Sequence, residues 1–273
     1  MDVGRQGTRV VIPAVFRGLC DDAALFPPGN APLGAAVPQH LGYRDAAFAD
    51  LVGPFVFPIP RLRELTSVPS PVRVSLTAPG GPSSVVPGIE AAQSISGVSV
   101  VAVEVAIPDG TDLSALDDVG GGIDVYVEIP RDDRRPEILD AVERRGYRAK
   151  FRTGGVTADL YPGEAELAAG IAEASRRGIR FKATAGLHHA IRNTGSDNGF
   201  EQHGYLNVLL AAQAAAGGAG TDELSSILAI RDPDVVAKEV AAIDTERVFL
   251  SFGTCSIQEP LDDLVALGLI DPT

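Results

Sequence analysis

The chain has 273 residues, 45% of them hydrophobic, and its 23 Lys and Arg against 36 Asp and Glu give a formal net charge of -13. That is enough apolar material for one large core, and the acidic surplus disfavours nucleic acid and anionic membrane surfaces, leaving small molecules as the better partner class. No stretch approaches the roughly 20 uninterrupted apolar residues of a membrane span, and the two cysteines, Cys20 and Cys255, are too few for a disulfide framework and lack CxxC spacing.

In chain order, residues 1–7 lack the apolar segment of a signal peptide and read as a loose tail on a cytoplasmic protein. From residue 8 to residue 273, short apolar runs alternate with amphipathic or alanine-rich stretches. Strands are expected at 10–16, 55–59, 72–77, 98–107, 123–129, 148–153, 179–184 and 248–252. Helical patterns occupy 41–51, 61–65, 88–94, 113–119, 136–145 and 163–177, with a longer helical insertion over 200–243. Gly146 after Arg144-Arg145 and Gly178 after Arg176-Arg177 supply the cationic last turn and glycine stop of two helices. Strands alternating with helices imply parallel βαβ units, and eight of them predict an α/β fold, a single-domain (β/α)8 barrel of the TIM type. The alternative is an open doubly wound sheet, but neither GxGxxG nor GxxxxGK[ST] stands near the first strand.

Most of the chemistry lies in two segments, 148–155 and 180–189. Alternation puts Lys150 and Arg152 on one face of the first, against Ala149 and Phe151 on the other. In the second it puts Arg180, Lys182 and Thr184 opposite Phe181, Ala183 and Ala185. Cations facing a barrel lumen must line a polar cavity, because buried ammonium and guanidinium groups without partners are prohibitively costly. The same parity turns Arg73, Ser75, Thr77, Glu104, Asp124, Tyr126, Glu128, Ser251, Gly253 and Cys255 inward. The plain structural reading is a layered salt bridge in which Glu104 or Glu128 only neutralises Lys150, Arg152 or Arg180. The convergence of so many polar groups at the carboxyl ends of the strands favours an active site.

Lys182 is the expected nucleophile, since a lysine among other cations loses its proton more easily and its free amine attacks a carbonyl to form an imine. Thr184 and Glu128 would position or relay protons. The string Phe181-Lys182-Ala183-Thr184-Ala185-Gly186 resembles the Schiff-base strand of deoxyribose-phosphate aldolase. The resemblance implies a class I carbon–carbon lyase, with Lys182 as the Schiff-base residue, Lys150 lowering its pKa, and Glu128 or Glu104 as proton shuttle. In that family the second lysine strand follows the Schiff-base strand, whereas here Lys150 precedes Lys182. The run from Lys182 to Gly186, with Arg192 beyond it, is also similar to part of quinolinate phosphoribosyltransferase. That likeness implies an anionic, phosphorylated substrate on Lys150, Arg152, Lys182 and Arg192, with Glu104 or Glu128 holding Mg2+. Residues 21–28, the Lys-x-Arg-Thr-Gly-Gly tract and Gly186-Leu187-His188-His189 together resemble a bacterial protein family whose likeness implies no activity.

Arg152 followed by Thr153-Gly154-Gly155 suits an anion clamp, with bidentate guanidinium donors and backbone N–H groups open to a carboxylate or phosphate. Asp21, Asp22, Ser251, His188, His189 and Arg192 complete the expected substrate-contacting set. A metal-assisted hydrolase would draw on His188, His189, His203 and the Asp21-Asp22 pair, with Cys20 and Cys255 brought to one rim by barrel closure, but adjacent histidines on extended chain point to opposite sides. Residues 193–199 and 203–207 suit a lid or an ordinary exposed loop, and 208–216 suits burial against the barrel or a second subunit. The leading expectation is therefore a cofactor-free lyase acting on a small anionic carbonyl compound through an imine. The alternatives are a phosphoribosyltransferase-like or metal-assisted barrel using Mg2+ or Zn2+, and a barrel that binds a metabolite without catalysis.

Overall fold

A computed structural model describes residues 10–196, 198–244 and 246–271, so the tail expected at 1–7 lies outside the described residues. The first half runs β1 (Cys20–Asp22), α1 (Leu33–Tyr43), β2 (Val52–Pro58), β3 (Val72–Ala78), α2 (Val85–Gln93), β4 (Val98–Val105), β5 (Asp124–Glu128) and α3 (Arg135–Arg145). The second half runs β6 (Arg148–Arg152), α4 (Glu164–Arg176), β7 (Phe181–Thr184), β8 (Asn193–Thr194), β9 (Glu201–Gln202), α5 (Tyr205–Ala216), α6 (Thr221–Leu228), α7 (Pro233–Ala241), β10 (Phe249–Thr254) and α8 (Gln258–Ala266). Strands β1 to β7 and β10 close into an eight-stranded barrel in the order β1-β10-β7-β6-β5-β4-β3-β2, every neighbour parallel. With helices interleaved between strands, the chain is a TIM-like (β/α)8 barrel.

The apolar faces behave as their alternation requires. Val103 and Val105 of β4, Val125 and Val127 of β5, Ala149 and Phe151 of β6, and Phe181 and Ala183 of β7 are all buried against the helical layer. Helix α3 ends at Gly146 in the left-handed conformation, φ 65°, where glycine avoids the Cβ penalty, and Gly178 plays the same part after α4 at φ 66°.

The first strand differs from expectation. Residues 10–16 form no strand; Ala14–Phe16 is a 3-10 turn, and β1 is the three-residue segment Cys20–Asp22. The apolar residues there, Ile12, Phe16, Leu19 and Cys20, recur at turn-like rather than alternate spacing, Pro13 interrupts the run, and Val11 is 78% exposed. The helix expected at 41–51 instead spans Leu33–Tyr43 and tolerates Pro38 inside it. The expected helices at 61–65 and 113–119 are 3-10 segments, Ile59–Glu64 and Leu113–Leu116, so β2 and β4 are followed by short connections. The insertion over 200–243 resolves into the regular crossover helix α5 with α6 and α7 packed beside it. Helix α5 is buried within the chain itself, which accounts for its nearly all-apolar sequence.

Candidate active site

Because β1 lies at 20–22, Asp21 is a lumen residue of a strand rather than a rim residue of a loop. Asp22 points the other way and pairs with His40 of α1, Oδ2 to Nδ1 2.9 Å. Inside the barrel, register partners Lys150 and Lys182 stand side by side on β6 and β7. Lys182 is 1% exposed and donates from Nζ to Asp21 Oδ2 at 2.5 Å and to Glu104 Oε1 at 2.6 Å. Ser251 Oγ donates to the same Asp21 oxygen and Ser75 Oγ to the same Glu104 oxygen, each at 2.8 Å. Lys150 Nζ lies 3.1 Å from Glu104 Oε2 and 3.3 Å from Glu128 Oε2, and Arg152 Nε donates to Glu128 Oε1 at 3.0 Å. The chain of groups thus runs Ser251, Asp21, Lys182, Glu104, Lys150, Glu128, Arg152, with anions and cations alternating. Tyr126 supplies a ring face 5.4 Å from Lys182 Nζ.

The electrostatics follow from this order. Burial alone would strip the proton from Lys182, but the two carboxylates in contact outweigh it and hold the ammonium above the ordinary lysine range. Burial likewise works against ionised Glu104, yet Lys182 and Lys150 flank it and bring its pKa down to about 2. Glu128, facing Lys150 and Arg152, is also held below its usual range against the effect of burial. Asp21 sits in contact with one ammonium, and there burial prevails, so its pKa is raised and it is the first carboxylate of the network to take up a proton.

The depth of the groups differs. Lys182 and Glu104 are sealed, at 1% and 2% exposed, whereas the Arg152 side chain is 36% exposed and Thr184 is half-buried at the carboxyl end of β7. Thr184 Oγ1 would lie 3.7 Å from the Cβ that Gly253 lacks, so a bare glycine stands beside it on the neighbouring strand β10. Beyond Thr184 the chain is held in an unfavourable conformation: Ala185 takes φ 64° and Gly186 φ 72°. Thr153 fixes this turn, donating Oγ1–H to the Ala185 carbonyl at 2.6 Å and N–H to the Thr184 carbonyl at 2.9 Å. Gly154 packs so closely on Gly186 that a Cβ on it would come within 2.6 Å of the Gly186 Cα, and a Cβ on Gly155 would overlap Leu160. These glycines are therefore demanded by loop-on-loop packing as well as by any ligand. The backbone N–H groups of Gly154 and Gly155 donate to no backbone acceptor among the described residues.

Other expected site residues are not brought to this network. Arg192 is buried in a separate cluster, Nη2 2.7 Å from Glu164 and 3.2 Å from Glu201, with His203 Nδ1 3.2 Å from its Nη1. His188 faces Glu259 at 3.7 Å and His189 faces Asp263 at 3.4 Å, both toward α8. Arg180 is exposed beside Glu246 at the amino end of β7 rather than in the lumen. Cys20 and Cys255 are free thiols, and among the described residues no group of three or more His, Cys, Asp and Glu is arranged to hold a metal ion. Strands β8 and β9 pair antiparallel, and Phe200, just before β9, packs on Tyr161 at 5.4 Å; Tyr161 in turn donates to the Gly155 carbonyl at 3.1 Å and so joins the β8–β9 pair to the glycine loops.

Comparison with family models, with curated proteins and with solved structures found no match for this chain. No helix among the described residues is long and apolar enough to cross a membrane.

Proposed function

We propose that the barrel is a carbon–carbon lyase acting on a small anionic carbonyl compound through an imine, with Lys150 as the nucleophile and Lys182 as its fixed cationic neighbour. The observation that carries this reading is the asymmetry of the lysine pair. Lys182 is locked by two short ion pairs, whereas Lys150, level with it in the barrel and also buried, makes two longer ones and stands two residues before Arg152 on β6. Of the two amines, that of Lys150 is held by the longer contacts and is the one proposed to attack a carbonyl. Loss of water then gives an iminium that carries the same single positive charge as the ammonium it replaces. With three lumen cations, Lys150, Arg152 and Lys182, against three carboxylates, Asp21, Glu104 and Glu128, the covalent intermediate preserves the balance that the buried network needs. Glu128, in contact with Lys150 and part-exposed, is the group placed to relay protons, with Thr184 level with Arg152 at the rim. Arg152 keeps its terminal nitrogens for the substrate anion while Nε is engaged by Glu128.

The test is reductive trapping: the protein is incubated with a panel of small aldehydes, ketones and 2-oxo acids, reduced with borohydride, and mapped by peptide mass. An adduct at Lys150 that disappears in Lys150→Met supports the reading. An adduct on Lys182, or indiscriminate labelling of surface lysines across the panel, rejects it.

The complete pairing of the sealed groups Asp21, Glu104 and Lys182 favours one second reading, a barrel that binds an anionic metabolite at Arg152 without catalysis. That barrel would tolerate Lys150→Arg with its ligand affinity intact. The phosphoribosyl and hydrolase readings need a carboxylate free for Mg2+ or Zn2+, and Glu104 and Glu128 each already contact a cation.

A further inference from the structure

We propose that the amino end of the barrel carries a second ligand site, a cleft for a small organic anion held by Arg44 and Arg73 beside His40. The cleft encloses about 350 Å3 between the last turn of α1, which contributes His40, Tyr43 and Arg44, and the start of β2 and β3, which contribute Val52, Gly53 and Arg73. This volume falls within the range of small-molecule sites. No Asp or Glu lines it. In a chain of net charge -13, two arginines line one cleft that no carboxylate residue lines. The Arg44 side chain donates to the Pro71 carbonyl at 3.0 Å, and the Arg73 side chain makes neither hydrogen bond nor ion pair among the described residues. Arg131, Arg134, Arg145, Arg148 and Arg177 are ion-paired, whereas Arg63, Arg144 and Arg176 are, like Arg73, without a side-chain partner among the described residues.

His40 adds the second observation. Its Nδ1 is tied to Asp22 at 2.9 Å and its ring packs on Phe55 at 5.1 Å, so the imidazole is fixed in orientation. Among the described residues the one enclosed side-chain nitrogen without a partner is Nη1 of Arg247. The unpaired Nε2 of His40 is therefore not an enclosed orphan; it opens into the cleft that the ring lines. A carboxylate-anchored imidazole, a phenol and two guanidinium groups around apolar walls select a ligand with an anionic head and an apolar body. Gly53 divides this cleft from the lysine network, since its missing Cβ would overlap Asp21 Oδ1 on the lumen side. The site is thus chemically separate from the carboxyl end of the barrel, where the proposed lyase chemistry lies.

Titration calorimetry on the full chain, with benzoate and phenyl phosphate as probes and benzamide as the neutral control, tests the assignment. The expected result is binding of at least one anion, no heat from benzamide, and a loss of at least tenfold in affinity in Arg44→Gln and Arg73→Gln. Both arginines are at the surface, so the variants are expected to keep the wild-type circular dichroism and unfolding midpoint. Lys150→Met, which alters only the opposite end, retains the affinity. The two anions rank carboxylate against phosphate as the preferred head group. Equal binding of benzamide, unchanged affinity in both arginine variants, loss of affinity in Lys150→Met, or no heat from either anion at millimolar concentration overturns the proposal.

Discussion

Replacing Lys182 by methionine removes one charge from the centre of the barrel at nearly constant volume and leaves Asp21 and Glu104 facing each other's field. Glu104 keeps Lys150 at 3.1 Å, but Asp21 keeps only the Ser251 hydroxyl, so Asp21 is left as an uncompensated buried carboxylate. Breaking a buried pair in this way costs about 3–5 kcal/mol. The cost has a pH signature. If Asp21 is protonated in the native variant and ionised in the unfolded chain, the native state binds one more proton, and stability falls by about 1.4 kcal/mol for each unit of rising pH. Lowering the pH from 7 to 5.5, still above the range where unfolded carboxylates titrate, should restore about 2 kcal/mol in Lys182→Met relative to wild type. Urea unfolding followed by circular dichroism at the two pH values measures it. Adding Asp21→Asn should abolish the pH slope and recover about 2 kcal/mol at pH 7. A loss below about 1 kcal/mol in Lys182→Met, or an equal loss at both pH values, would refute the account of the lumen as a charge-balanced network.

Glu104 makes the opposite contribution in acid. Its folded pKa of about 2 lies below the unfolded value of 4.5, so its stabilisation is fully present above pH 4.5 and disappears as the pH falls to 2. The amount is about 3 kcal/mol, and Glu104→Gln should flatten the acid limb of the stability profile by that much. At the mouth, Ala185→Gly relieves a left-handed alanine worth about 1 kcal/mol while adding a glycine's unfolded-state entropy of about 0.5–1 kcal/mol, so thermal melts should move little. Gly186→Ala, by contrast, sets a Cβ 2.8 Å from the Thr153 carbonyl at φ 72° and should destabilise by at least about 2 kcal/mol. Arg192→Met should cost about 1 kcal/mol, since part-exposed Glu164 loses its cation while Glu201 keeps Arg231 and Thr194 and His203 keeps the Pro162 carbonyl, yet leave the yield of borohydride trapping on Lys150 unchanged.

The strands that could be read from the sequence are those long enough to show period two. β3 to β7 and β10 carry it, and their parity alone brought Ser75, Glu104, Glu128, Lys150, Lys182 and Ser251 to one interior. β1 was illegible because three residues, two of them aspartates, contain no alternation and no apolar run. Its displacement is what separates Asp21 from Asp22, which the sequence treats as a pair. Which lysine is locked was equally hidden, since it depends on how far Asp21 reaches across the closed barrel. Arg192 looked like a continuation of the lysine motif, but the hairpin that follows β7 brings Glu201 back to it, and α4 offers Glu164. His40 gave no signal at all: a single histidine in a helix acquires meaning only from the aspartate that folding sets against it.

The network at the centre of the lumen is assembled from the two ends of the chain. Ser251 and Asp21 are 230 residues apart, and Lys182 and Asp21 are 161 apart. Contacts of such separation form late, after the loop entropy of nearly the entire chain has been overcome. Until β1 slots between β2 and β10, Lys182 has lost one of its two carboxylates and the barrel has an open seam. A nascent or truncated chain therefore holds both lysines without the arrangement that would tell them apart, and on the proposed chemistry site-specific trapping at Lys150 would be a chemical report that β1, the shortest strand of the barrel, has closed the ring.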